Sequence, residues 1–168
     1  MFVSKLVKFW LFASSLIVTW DYLFVLLRPA TFPGGSLFKY WGPYSLYIEI
    51  DTLYNDEKDR YVVIQSWFNC AETILNMIAL LILVKKSIKF QTIGALFSLM
   101  CLSFTFWKTF IYFAYDAAFI NFNKKVWELA LLFFIPNGFW FFVPLLSMIS
   151  ISKNMCCFVC KSFKRKED

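Results

Sequence analysis

Histidine is absent from all 168 residues, and cysteine occurs only five times. Together these argue against a zinc site, whose ligands come from just those residue types. No internal repeat or low-complexity segment is present, and the apolar runs leave too little chain for a separate soluble domain. Nothing in the sequence points to a cofactor. What remains is hydrocarbon: 60% of the residues are hydrophobic, and the mean hydropathy is +0.62. A soluble domain of this length has too much surface for its volume to hide that much apolar area.

Four stretches reach the roughly 20 mostly apolar residues that a membrane-spanning helix needs. They run from Leu6 to Leu27, Tyr61 to Val84, Gln91 to Tyr115 and Glu128 to Ile151. They are too long and too uniformly apolar for barrel strands, and only helices or closed barrels satisfy their backbone in lipid. The fold expected is an all-α membrane protein, a four-transmembrane-helix bundle with a polar interior cavity and both termini cytosolic. Residues 1–151 form that domain, residues 29–60 a lumenal aromatic loop, and residues 152–168 a cytosolic basic tail. Lys5 and Lys8 before an apolar run also fit a signal peptide. The run continues through Asp21 to Leu27 without a small-residue cleavage site, which favours a retained helix.

The net charge of +6 is unevenly placed. Lys5, Lys8, Lys85, Lys86, Lys89, Lys153, Lys161, Lys164, Arg165 and Lys166 all fall on one side of a four-helix topology, while the long loop carries Glu49, Asp51, Asp56, Glu57 and Asp59. Excess Lys and Arg marks the cytosolic side. Nucleic-acid binding is excluded because the cations cluster at helix ends rather than on one soluble face. Cys156, Cys157 and Cys160 follow the last apolar run among basic residues, where reversible palmitoylation and free thiols are equally open. Lys166 and Lys164, third and fifth from the end, resemble the dilysine retrieval signal of endoplasmic-reticulum membrane proteins. An ordinary positive-inside tail accounts for the same lysines.

Within the apolar runs the polar residues are periodic. Gln65, Asn69, Glu72 and Asn76 step by four, three and four, and Ser98, Cys101, Thr105, Lys108 and Tyr112 step by three, four, three and four. Asn137, Trp140, Pro144 and Ser147 repeat the spacing, and Ser14, Asp21 and Arg28 lie seven apart. Each set falls on one helical face. By helix rise, Asp21, Glu72, Lys108 and Asn137 sit roughly 10 to 17 Å inside from the loop end of their helices. Ionisable groups at that depth are functional candidates by default. A ligand cavity and an internal Glu72–Lys108 ion pair that fixes packing both fit the spacing. Tyr40, Trp41, Tyr44, Tyr47 and Tyr54 in the loop suit a lid lying against the membrane–water boundary, or a simple interfacial anchor.

Cys70-Ala71-Glu72-Thr73, Asn137-Gly138-Phe139-Trp140 followed by Pro144, Asp21 before Phe24-Val25-Leu26, and Ile111-Tyr112-Phe113 are distributed over the four helices. The chain thereby resembles the EXPERA family, which includes the emopamil-binding protein, a sterol isomerase, and the sigma-two receptor. The resemblance implies a pocket for a sterol or amphiphilic amine, open toward the membrane and needing no cofactor. It also implies Glu72 and Asp21 as acid and base, Trp140 as a cation-stabilising face, and Asn137 as the group that orients a carboxylate or ligand. The family enzyme has histidine where this chain has Ile17, aspartate at Thr109 and glycine at Lys108. A lysine pointing into the pocket keeps Glu72 ionised and repels a carbocation. One that snorkels to the boundary leaves the mechanism intact.

The reading preferred is a protein that binds a sterol or related lipid, or an amphiphilic amine, through Asp21, Glu72, Asn76, Lys108, Tyr112, Asn137 and Trp140. Its partners are that lipid and the bilayer, with a second copy of the chain left open. An active sterol double-bond isomerase using Glu72 and Asp21, and a non-catalytic membrane assembly protein, are the alternatives. Lys164 and Lys166 are the targeting candidates.

Overall fold

The computed structural model describes residues 2–167, with side chains to residue 164. Helix α1 spans Lys5–Leu26, and the Ser4 hydroxyl accepts from the Val7 amide at its start. Two short helices, α2 (Tyr44–Tyr47) and α3 (Thr52–Asn55), lie in the loop that follows. Asp51 caps α3 by accepting from the Leu53 and Tyr54 amides, the usual way a carboxylate closes a helix start. Helix α4 (Arg60–Val84) is capped by Asp59, and α5 runs Ile88–Asp116. Between them, the Gln91 side chain donates to the Leu83 and Lys85 carbonyls and so satisfies the open end of α4.

The last crossing begins with α6 (Val126–Leu129), passes through a five-residue π turn (Ala130–Phe134) and continues as α7 (Ile135–Glu167). Pro136 lacks the amide that a regular helix would need two residues beyond that turn. A locally widened turn just before a proline shifts the helix face without ending the helix. Among the described residues, four helices are thus long and apolar enough to cross a membrane. Helix α1 packs on α4, α4 on α5, and α5 on α7.

The burial pattern is that of a protein in lipid. Large apolar side chains such as Leu6, Phe9, Trp67, Leu81, Trp107 and Leu146 stand exposed, whereas Ser66, Glu72, Asn76, Ser98 and Asp116 are buried. In water that arrangement would expose a very large apolar surface, which marks a surface made for another medium.

Two segments show contacts that the sequence did not specify. The aromatic loop packs onto the bundle itself, with Trp41, Tyr44 and Tyr54 buried in one cluster with Phe24, Val25 and Val62. Trp41 Nε1 donates to the Trp20 carbonyl at 2.8 Å. The segment after Ile151, read as a tail, continues α7 to Glu167. No glycine or proline interrupts it, and Phe158 meets the Phe2 ring edge-on at 5.1 Å. Asn154 also donates to the Phe2 carbonyl at 3.0 Å.

Candidate functional site

The polar faces of α1, α4 and α5 converge on a chain of hydrogen bonds. From α4, Asn69 is an amide that donates at one end and accepts at the other. Its Nδ2 donates to Asp21 Oδ2 at 3.0 Å, and its Oδ1 accepts from Lys108 Nζ. Lys108 also pairs with Glu72, Nζ to Oε2 at 2.5 Å. The order Asp21–Asn69–Lys108–Glu72 therefore alternates acceptor and donor, and fixes which way the Asn69 amide points. Asp21 gains two further donors from the loop: Tyr44 Oη at 2.6 Å and Tyr54 Oη at 3.2 Å. Burial, with Asp21 alongside, pushes both tyrosine hydroxyls well above their ordinary 10, so they remain donors.

A cleft of about 280 Å³ opens beside this chain. Asp21, Tyr44, Tyr47, Tyr54, Asn69, Lys108 and Tyr112 line its polar wall. Ile17, Val18, Trp20, Leu132, Pro136 and Trp140 supply apolar lining, and Asn137 also lines the cleft. Trp140 meets Trp10 edge-on at 5.3 Å, and its indole Nε1 is buried without a partner. Asn137 spends its Nδ2 on the Phe133 carbonyl at 2.9 Å, beside the π turn. A ligand here would meet a carboxylate, an ammonium, hydroxyl donors and aromatic faces within one cleft.

Of the residues singled out from sequence, Asp21, Lys108, Tyr112, Asn137 and Trp140 line this cleft, and Glu72 and Asn76 do not. Glu72 is 1% exposed, on the far side of Lys108. Asn76 lies deeper and donates to Ser15 Oγ at 3.2 Å. Lys108 thus points inward, its side chain only 9% exposed, instead of snorkelling to a boundary. Thr109 lines the cleft, as does Ile17; in the resemblance these positions carry an acid and a histidine. Lys164 is exposed; Lys166 lies outside the described residues as far as its side chain is concerned.

Sequence reasoning missed a second acidic centre. Asp51 and Asp116 are both fully buried under the loop. Asp51 Oδ2 accepts from Tyr112 Oη at 2.5 Å and Tyr47 Oη at 3.2 Å, and the two hydroxyls lie 2.7 Å apart. Extending the α5 polar stripe one more step of four from Tyr112 would have reached Asp116. Asp51 carried no such signal, because its place depends on how the loop folds back.

Matched against models of protein families, curated proteins and solved structures, the chain gives no match.

Proposed function

We propose that this multi-pass membrane protein binds a sterol or related lipid, or an amphiphilic amine, in the cleft between its helices and the loop. The observation that carries the reading is Asp21, a carboxylate on the cleft wall that accepts three neutral donors and bonds to no cation among the described residues. Three neutral donors orient the carboxyl without pairing it with a cation. A ligand's hydroxyl or ammonium can meet it while its hydrocarbon body lies along Trp20, Ile17 and Trp140, as in other small-molecule sites that combine apolar walls with few polar groups. Glu72 contributes indirectly, by holding Lys108 in position.

Isomerase catalysis through Glu72 is the weaker reading. A proton donor must reach its substrate. Glu72 is paired with Lys108 and does not line the cleft. A purely structural role is favoured by the completeness of the Asp21–Asn69–Lys108–Glu72 chain, which would also glue helices together. The placement of the basic residues supports an orientation with both termini cytosolic. We assign the endoplasmic reticulum, with Lys164 and Lys166 as the retrieval pair; replacing both with Ser should release the protein to later compartments, and an unchanged location refutes that assignment.

The binding test uses purified protein in lipid nanodiscs with radiolabelled sterol and, separately, a radiolabelled cationic amphiphile. Saturable binding of at least one is expected, weakened about tenfold by Asp21→Asn, the loss of one charge-assisted contact. Absence of saturable binding for both probes would overturn the proposal.

A further inference from the structure

Asp51 and Asp116 meet where the loop returns to the bundle. The segments that carry them are strapped together: the Thr52 amide donates to the Phe119 carbonyl at 3.3 Å, and the Asn121 amide to the Ile50 carbonyl at 2.9 Å. Both carboxyls are 0% exposed, and each bears electrostatically on the other. The groups facing them are Tyr47 on α2, Tyr54 on α3, Tyr112 on α5, and Tyr61 and Asp59 at the start of α4, with Asp21 and Arg28 of the first crossing also acting on Asp51. Arg28 is the cation among them, and it donates to the Tyr54 and Asp56 carbonyls and forms no ion pair with either carboxyl. Lys124 in the adjoining connection pairs instead with Glu49.

The two carboxyls are unequally served. Asp51 has four donor groups within hydrogen-bonding distance, the Leu53 and Tyr54 amides on Oδ1 and the Tyr47 and Tyr112 hydroxyls on Oδ2, Tyr47 having one proton to give either to Asp51 or to Tyr112. Neither oxygen of Asp116 receives a hydrogen bond. A buried acceptor without a donor is costly, and two ionised carboxylates side by side are costlier. A single proton removes both problems if it sits on Asp116 and is donated to Asp51. The four donors around Asp51 favour its ionised form, which assigns the proton to Asp116.

This pair is connected to the cleft. Tyr47 and Tyr112 both lie within hydrogen-bonding distance of Asp51 and of each other, and both line the cleft. We propose that Asp51 and Asp116 hold one proton between them and that the Tyr47 and Tyr112 hydroxyls hand it to a proton-accepting group of a lipid in the cleft. The delivery half rests on the cleft being a lipid site. Tyr112 is the group that touches the ligand; the two aspartates act through it as a proton store. At each hop an O–H bond breaks on the donor as one forms on the acceptor. The net change is one proton lost from Asp116 and one gained by the ligand, with no electrons exchanged. The pair, left with two negative charges, takes a proton back from water. This source is independent of Glu72, which Lys108 holds.

Infrared spectroscopy of the full chain in lipid nanodiscs, at neutral pH and without added ligand, tests the store. A protonated-carboxyl band is expected, lost in Asp116→Asn and retained in Glu72→Gln. The side-chain amide that Asp116→Asn introduces would still donate to Asp51, so the fold should survive. Asp51→Asn is the second variant: the burial of Asp116 is unchanged there, so the band should persist at a shifted frequency as the partner of its proton changes. Absence of the band, its persistence in Asp116→Asn, or an unshifted band in Asp51→Asn overturns the proposal. Transfer into heavy water tests the route. Deuterium exchange of the band should slow by about tenfold or more in Tyr47→Phe/Tyr112→Phe, as expected when the relay hydroxyls are removed and the barrier rises. Unchanged exchange would show that the proton does not pass through the tyrosines. Because no ligand is added, these results stand apart from the outcome of the binding test.

Discussion

Away from the loop, the bundle closes on hydrocarbon. Val7, Leu11, Leu83, Ala95, Leu102 and Ile151 form one buried cluster, and α4 and α5 approach so closely that a Cβ on Gly94 would lie 2.6 Å from a methyl of Leu83. Toward the loop, the same helices enclose Asp21, Asn69, Glu72, Lys108 and Asp116 and leave a cleft of about 280 Å³. In lipid, helices gain little by burying hydrocarbon against one another, so close packing and polar contacts must both contribute. Dividing those two jobs between the halves lets the tail half set helix spacing. The loop half can then hold polar groups in an arrangement that does not fill its volume.

The largest effect should come from breaking that polar half at its hinge. Lys108→Met leaves Glu72 buried and unpaired, a change expected to destabilise the protein by about 3–5 kcal/mol. Adding Glu72→Gln should restore much of that loss, as coupled neighbours do. Thermal unfolding in detergent of the two single variants and the double variant gives the coupling directly. Strictly additive losses would show that the two residues do not act as a unit. Next comes the dry half. Leu102→Ala, at a site 1% exposed, should destabilise by about 3 kcal/mol through the cavity it leaves. Once the folded fraction is corrected for, ligand affinity should stay unchanged. Lost affinity without lost stability would erase the distinction between the halves.

Most of the frame was legible in the residues, because length and hydropathy fix a helix that must cross lipid. The interior face of α4 was legible for the same reason: Gln65, Asn69, Glu72 and Asn76 share one helical side, and all four are buried. What periodicity could not supply was the order of contacts. Glu72 and Asp21 looked equivalent as buried acids, yet one is paired with Lys108 and the other faces the cleft. That difference depends on which neighbour lies across the helix seam, a matter of a few ångströms that no single-helix spacing encodes. The loop was least legible. Its aromatic residues suit a membrane boundary and a packed lid equally well, and only tertiary contacts such as Trp41 with Trp20 decide between them.

The smallest effect separates the halves by pH. No carboxyl belongs to the apolar cluster around Leu102, so the stability lost in Leu102→Ala should not vary with pH. The loop half differs. Burial pushes the Asp51 carboxyl above its ordinary 3.8, opposed by hydrogen bonds from Tyr112, the Tyr54 amide and Tyr47. A carboxyl raised in the folded protein binds its proton more tightly there than in the unfolded chain. Its contribution is therefore fully present below pH 3.8 and is lost as pH rises through the folded value. The melting temperature of the wild type relative to Asp51→Asn should accordingly fall as pH rises from that point. The change should be modest, because the opposing hydrogen bonds offset part of the burial effect. A difference that instead grew with pH would mean that the four donors outweigh burial. Asp51 would then be an ordinary ionised cap for α3, and the proton sensitivity that sets the loop half apart from the dry half would rest on Asp116.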